Sequence, residues 1–263
     1  MSVLASAIKD ALVACARGLG DLLVPGLCGA CGRDDIAAEG LCPACNVRLL
    51  SLVALGYCPR CGSTLGPNIP AREDGCWACP TTLPRFERAI RLGPYADPLR
   101  QIVRGLKYRL SETMRRRLGA MLAEAVASQQ ADRRFDVVIA VPMHWRRRLA
   151  RGCDHARVVA REIARRLDLP LGDEFIRVRH TPQQVGLSRT RRIENVRGAF
   201  GLRSKRGLAG ADVLLVDDVT TTGATANEAA RTLLGGGAEH VTLAVIAKAE
   251  PPTAYAEHIQ TVG

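Results

Sequence analysis

Aromatic side chains make up only 4% of this 263-residue chain, Lys occupies four positions, and no stretch free of charged residues is longer than eleven. The last shortage excludes a membrane-crossing helix, which needs ~20 apolar residues. Lys9, Asp10, Arg17 and Asp21 interrupt the apolar first 27 residues, so no secretory core is expected and the cytoplasm is the expected location. Neither Gly-x-x-x-x-Gly-Lys-Thr nor Gly-x-Gly-x-x-Gly follows a strand-like run, which removes the common nucleoside-triphosphate and dinucleotide folds. Apolar residues are not scarce: at 47% of the chain they exclude a disordered protein and suffice for one full core plus a small accessory module.

The net charge of +11 is unevenly spread. Residues 1–90 carry 8 basic and 8 acidic side chains, residues 91–206 carry 27 and 11, and residues 207–263 carry 2 and 7. A basic middle suits a small polyanion or nucleic acid. Scarce aromatics favour backbone contact over base stacking in the second case. Of the 37 basic residues 33 are Arg, whose planar fork grips phosphate, although a GC-rich genome raises Arg for no functional reason.

Nine of the ten Cys precede residue 80, and eight form Cys-x-x-Cys pairs: Cys28/Cys31, Cys42/Cys45, Cys58/Cys61 and Cys76/Cys79. In a reducing compartment such pairs read as metal turns, two of which complete a tetrahedral four-sulfur site. Pairing in sequence order gives Cys28, Cys31, Cys42 and Cys45 for one Zn²⁺ and Cys58, Cys61, Cys76 and Cys79 for another; spacing alone also permits interleaving. A closed sulfur shell has no open position for catalysis, so the metal is expected to replace a hydrophobic core. Cys15 and Cys153 read as ordinary buried thiols. The expected organisation is an N-terminal helix over 1–26, a double zinc ribbon over 27–84 and an α/β domain over 85–263.

In that domain Asp97 and Pro98 signal a helix start, with Ile102, Val103 and Leu106 on one face. Ser111 is a second cap, before a stripe from Met114 to Ala125. The triple Arg115 to Arg117 reads as a solvated face. Phe135 to Val141 reads as a buried strand, Val158 to Leu167 as a helix, Ile176 to Arg179 as a strand and 180–198 as a long polar connection. Val213 to Val216 is another buried strand, Thr225 to Leu234 a helix, and Val241 to Ala247 the last strand. This alternation implies a parallel sheet with helices on both faces, and a ligand beyond the carboxyl ends of its strands.

The most informative stretch is Val213-Leu-Leu-Val-Asp-Asp-Val-Thr-Thr-Thr-Gly-Ala-Thr225. A buried strand delivers two acids, and a Thr/Gly turn then opens a helix whose free N–H groups can cradle a phosphate. Asp217 and Asp218 would repel that phosphate, so they suit sugar hydroxyls or a Mg²⁺ shell.

This stretch resembles the 5-phosphoribosyl-1-pyrophosphate (PRPP) signature of type I phosphoribosyltransferases. With the Cys pairs, the chain resembles the ComF family of competence-associated proteins, which join a double zinc ribbon to a phosphoribosyltransferase domain. Further matches are Leu106-Lys-Tyr108, Val141-Pro-Met143 with Arg148 and Arg151-Gly152, and Gln184, Leu187, Arg192, Asn195, Gly198 and Phe200.

The resemblance implies that Asp217 and Asp218 hold the ribose hydroxyls and, indirectly, Mg²⁺. It also implies that Thr220, Thr221, Thr222, Gly223, Ala224 and Thr225 bind the 5-phosphate. Pro142, Met143 and His144 would form the pyrophosphate loop, approached by Arg148 and Arg151. Residues 180–198, with Gln184, Arg192 and Asn195, would be the flexible lid, and His180 a further ligand contact. Two departures stand out: Arg151-Gly-Cys-Asp-His155 replaces the usual Arg-Gly-Phe-Asn-Gln, and Thr221 stands where purine-salvage enzymes carry an acid. Transfer to hypoxanthine or guanine is therefore not expected. The implied function is PRPP·Mg²⁺ binding with phosphoribosyl transfer to a nitrogen acceptor, associated with DNA uptake. The alternative is a catalytically silent module that senses PRPP or binds single-stranded DNA or a competence partner.

Overall fold

A computed structural model describes residues 27–34, 40–66, 72, 74–80, 82, 84–106, 112–129, 134–143, 154–182, 186–204 and 208–250. The expected helix over 1–26, Lys107, Tyr108, Ser111, Cys15 and Cys153 lie outside them. The elements in chain order are α1 (Pro43–Val53), β1 (Arg88–Pro94), α2 (Leu99–Leu106), α3 (Glu112–Ser128), β2 (Val137–Ala140), α4 (His155–Leu167), β3 (Leu171–Gly172), β4 (Phe175–Arg177), α5 (Arg189–Val196), β5 (Phe200–Leu202), β6 (Asp212–Thr220), α6 (Ala224–Gly235) and β7 (His240–Lys248). Among the described residues no helix is long and apolar enough to cross a membrane.

Five strands form a sheet in the order β1-β7-β6-β2-β3, every neighbouring pair parallel. Side chains alternate across it. Leu214, Val216, Val138, Ala244 and Ile246 face the layer of α2, α3 and α4, while Val213, Leu215, Ile139, Leu243 and Val245 face α6 and the antiparallel β4–β5 pair. Burial on both faces explains why β6 and β7 read as continuous apolar runs instead of alternating ones. Cys42, Cys45, Leu49 and Leu52 join the first layer, so the Cys-rich segment and the sheet share one core.

Four sequence expectations are refined. The strand carrying the acids runs on to Thr220, because β7 continues beside it with Asp217 opposite Val245 and Thr220 opposite Lys248. On its other side β2 stops at Ala140, opposite Val216, which leaves the end of β6 unpaired along that edge. The polar stretch 180–198 contains the helix α5, started by the Ser188 side chain accepting from Arg191 N. Only Val196 of that helix is buried, so it has no apolar stripe to read. Asp97 spends its carboxylate on Arg100, at 3.0 Å to Nε and 2.6 Å to Nη2, with helical geometry beginning at Leu99. In the Arg triple, Arg117 Nη2 donates to Asn46 Oδ1 and ties α3 to α1.

Candidate functional site

Beyond Ala140 the uncovered edge of β6 opens into a cleft of about 380 Å³, lined among others by Pro142, Met143, Asp217, Asp218, Thr220, Thr221, Gly223, Ala224 and Thr225. It lies at the carboxyl ends of β2 and β6, where the chain order of the strands reverses across the sheet. The acids deal with the orphaned edge locally: Asp217 Oδ1 accepts from Asp218 N at 2.8 Å, and Asp218 Oδ1 from Val219 N at 2.7 Å. Enclosure by protein, with the Asp218 charge next to it, pushes the Asp217 carboxyl well above the usual carboxylate range. A half-buried acid crowded by a second carboxylate in this way is relieved by a cation or by donated hydroxyls, so the donor set fits either Mg²⁺ or a sugar diol.

The turn after β6 is pinned on two sides. Arg192 Nη1 donates to Thr221 Oγ1 at 2.9 Å, and Lys248 Nζ donates to the Thr221 carbonyl. Gly223 adopts φ +77°, a left-handed conformation that favours glycine, and serves as the N-cap of α6. The N-cap has no side chain to offer, and Ala224 N makes only a long 3.4 Å contact to Thr222 Oγ1, so the first N–H groups of α6 remain available at the cleft, as an anion site requires.

Of the expected residues, Arg192 reaches the cleft from α5. Thr222 lines the adjoining cavity, and Asn195 faces elsewhere, its Nδ2 donating to the Pro182 carbonyl at 3.1 Å. His180 is exposed and not among the cleft-lining residues. His144, Arg148, Arg151 and Gln184 lie outside the described residues. Four polar lining residues were not expected as ligand contacts: Tyr95, Asp154, His155 and Arg177. Asp154 had a signal, since it belongs to the departure at 151–155. It caps α4, accepting from Arg157 N at 3.3 Å, and its other oxygen accepts from Met143 N at 3.3 Å, which fixes where the chain leaves β2.

The eight Cys form two groups, Cys28/Cys31/Cys42/Cys45 and Cys58/Cys61/Cys76/Cys79, each with its four sulfurs within 4.8 Å of one another. The sequence-order pairing is the observed one, and all eight are free thiols. Sulfur separations of 3.7 Å (Cys31–Cys42), 3.8 Å (Cys58–Cys79) and 3.7 Å (Cys61–Cys76) match the ~3.8 Å edge of a tetrahedron with metal–sulfur bonds of ~2.3 Å. The first turn of each group repeats one geometry: Gly32 N and Gly62 N donate to Cys28 O and Cys58 O, and both glycines sit at φ +76°. The backbone N–H of Arg33, helped by its side chain, holds the Cys31 thiol down to about 6. Both groups could hold structural Zn²⁺.

Residues 150–261 match the phosphoribosyl transferase domain model. Competence protein F of Haemophilus influenzae is 32% identical over 198 residues, 73% of this chain and 85% of that protein. DNA utilization protein YhgH of Salmonella typhi is 32% identical over 225 residues, 84% of this chain and 96% of that protein. Among solved structures, the glutamine PRPP amidotransferase from B. subtilis complexed with ADP and GMP overlaps 54% of this chain and 30% of its own, at 22% identity and a TM-score of 0.37.

Proposed function

Because the chain belongs to the family of Competence protein F and DNA utilization protein YhgH, with its phosphoribosyl transferase domain, we propose that the cleft binds PRPP with Mg²⁺ and passes the phosphoribosyl group to a nitrogen nucleophile. The observation that carries this reading is the continuity of acid pair, glycine turn and helix N-terminus around one cleft. The α6 N-terminus and the Thr220–Thr225 turn would take the 5-phosphate. Asp217 and Asp218 would accept from the ribose hydroxyls and hold Mg²⁺, which supplies positive charge toward the pyrophosphate. Pro142 and Met143 would lead the backbone past the pyrophosphate. Arg192 and Arg177 bring positive charge to the cleft, and closure of their segment would exclude water while the ribosyl C1 is electron-poor.

Isothermal titration of the full chain with PRPP and MgCl₂ tests this. Saturable binding that disappears in Asp217→Asn/Asp218→Asn is expected. A flat titration of the wild-type protein would remove the reading.

One observation favours a second role in the same chain. Trp77, between Cys76 and Cys79, is 82% exposed, an orientation suited to stacking on an unpaired base. The relatives' names tie those proteins to competence and DNA utilization. Binding of a single-stranded oligonucleotide is expected to weaken steeply with salt and to fall in Trp77→Ala. Affinity indifferent to both changes excludes the role.

A further inference from the structure

Arg91 and Lys248 are the only buried Lys or Arg side chains among the described residues, 2% and 9% exposed, and both lie against the second Cys group. Arg91 Cδ passes 3.9 Å from the point where a Cβ on Gly62, next to Cys61, would stand. Lys248 lines, with Cys61 and Ser63, a cavity of about 450 Å³ between that group and the turn at Thr220–Gly223. Lys248 Nζ donates to the Thr221 carbonyl, a neutral partner, while Arg91 is only partly matched by its neighbours. Arg91 Nη2 donates to Thr64 Oγ1 at 2.9 Å and its guanidinium lies 4.9 Å from the centre of the Tyr57 ring, but Nε and Nη1 have no hydrogen-bond partner. The nearby carboxylate, Glu250, accepts from Thr64 N at 2.9 Å and from its hydroxyl, and offers the two cations one negative charge between them.

Buried unpaired cations are costly and call for negative charge close by. A divalent ion held by four thiolates keeps an excess of two negative charges. We propose that Arg91 and Lys248 are a buried cation pair that offsets a metal-loaded Cys58/Cys61/Cys76/Cys79 centre, and that Lys248, by anchoring the Thr221 carbonyl, makes the phosphate turn sensitive to that metal. The peptide bond supplies the lever. Its planar trans geometry sets the Thr222 N–H opposite the Thr221 C=O, so a carbonyl drawn to Lys248 fixes the direction of the next donor in the turn. The first Cys group has no buried Lys or Arg against it among the described residues, and its Cys31 is exposed, so the effect belongs to the second centre alone. Lys248 is thus a positioning residue, and the second half of the inference rests on the cleft being the phosphate site.

The test measures zinc transfer from the loaded full-length protein to a chromogenic chelator, with and without ribose 5-phosphate. Lys248→Met and Arg91→Met are expected to release the metal of the second group about tenfold faster, as loss of one charged partner worth about 1.4 kcal/mol would produce, with release from the first group unchanged. Lys248→Arg and Arg91→Lys, which keep the charge, are expected to restore the slow rate and so separate charge from folding. Since coupling between binding equilibria is reciprocal, ribose 5-phosphate should tighten zinc at the second group, read as a smaller equilibrium share of that zinc passing to the chelator, in the wild type and not in Lys248→Met. Equal release rates in wild type and both Met variants overturn the cation pair, whatever the cleft binds. Bound ribose 5-phosphate that leaves that equilibrium share unchanged overturns the link to the turn while the PRPP reading stands. Failure of ribose 5-phosphate to bind the loaded wild type overturns the link together with that reading, and the ligand-free release rates still decide the pair.

Discussion

The guanidinium of Arg192 meets the Thr221 hydroxyl at 2.9 Å while its Nε donates to the Leu187 carbonyl at 2.9 Å. One side chain thereby joins α5, its own N-terminal turn and the loop that starts α6. Arg192→Ala removes both bonds, and a charge-assisted hydrogen bond contributes ~1.5–3 kcal/mol. Melting temperature is expected to fall by a few degrees, ~4 °C per kcal/mol or less, and affinity for PRPP·Mg²⁺ roughly tenfold, as loss of one positive charge from the cleft and of the support for the Thr221 turn would produce. Lys at this position should recover only part of the loss, lacking the fork that reaches two acceptors. Titration calorimetry on the three proteins measures it.

Asp217 predicts a pH dependence of stability. Its carboxyl is raised by burial and by Asp218, so the folded state holds a proton that the unfolded chain gives up. That contribution is complete below the ordinary carboxylate value of ~4 and is lost as pH rises through the higher folded value. Asp217→Asn, always neutral, should therefore melt above the wild type at pH 7 to 8 and lose the advantage as pH approaches ~4. The same variant should bind PRPP·Mg²⁺ poorly, the usual opposition of stability and function at a site. Melting curves across pH decide it; a variant no more stable at pH 8 than the wild type speaks against the strained carboxyl.

Close approach of α3 and α4 depends on Gly119. A Cβ there would stand 2.7 Å from Glu162 Cβ and 3.3 Å from the Val159 carbonyl, atoms that cannot swing aside. Gly to Ala in a helix gains ~1 kcal/mol of propensity, whereas forced overpacking costs ~1–3 kcal/mol. Overpacking wins, and Gly119→Ala is expected to be destabilised by about 1 kcal/mol, with Gly119→Val worse. Urea denaturation gives the values.

Metal analysis is expected to find two Zn²⁺ per chain. Chelation should unfold the segment around both groups, since Cys42, Cys45, Cys58 and Cys61 are among the buried residues and structural zinc supplies folding free energy directly. Cys42→Ser should halve the zinc content, leaving the second group loaded. Loss of both ions in that variant would mean the two sites fold as one.

Much of this architecture was legible in the chain itself. Val213 to Val216 announced a buried strand because both faces of β6 are covered, and the acids and Thr/Gly turn announced the site because such residues have no business next to a core unless bound to something. The Cys spacing announced metal but not the pairing, which depends on where the second turn of each group comes to rest. Helix α5 was hidden because its face is polar. Tyr95 and Arg177 join Asp217 only through the order in which the sheet is wound, a property of no local window. Strand β6 was read four residues short because Asp217 and Thr220 break an apolar pattern, while their pairing with β7 needs only backbone.

Strand β1 takes its place at the edge of the sheet by pairing with β7 alone. On a ribosome, both Cys groups and β1 emerge long before His240–Lys248 is made. The Cys-rich segment can pack early on α2 and α3, with which it shares a core, yet β1 has no strand to pair with until almost the last one is made, and such long-range pairing is slow. A chain ending before residue 240 would leave both β1 and one edge of β6 without their partner strand, so closure of the sheet waits on the final stretch of synthesis.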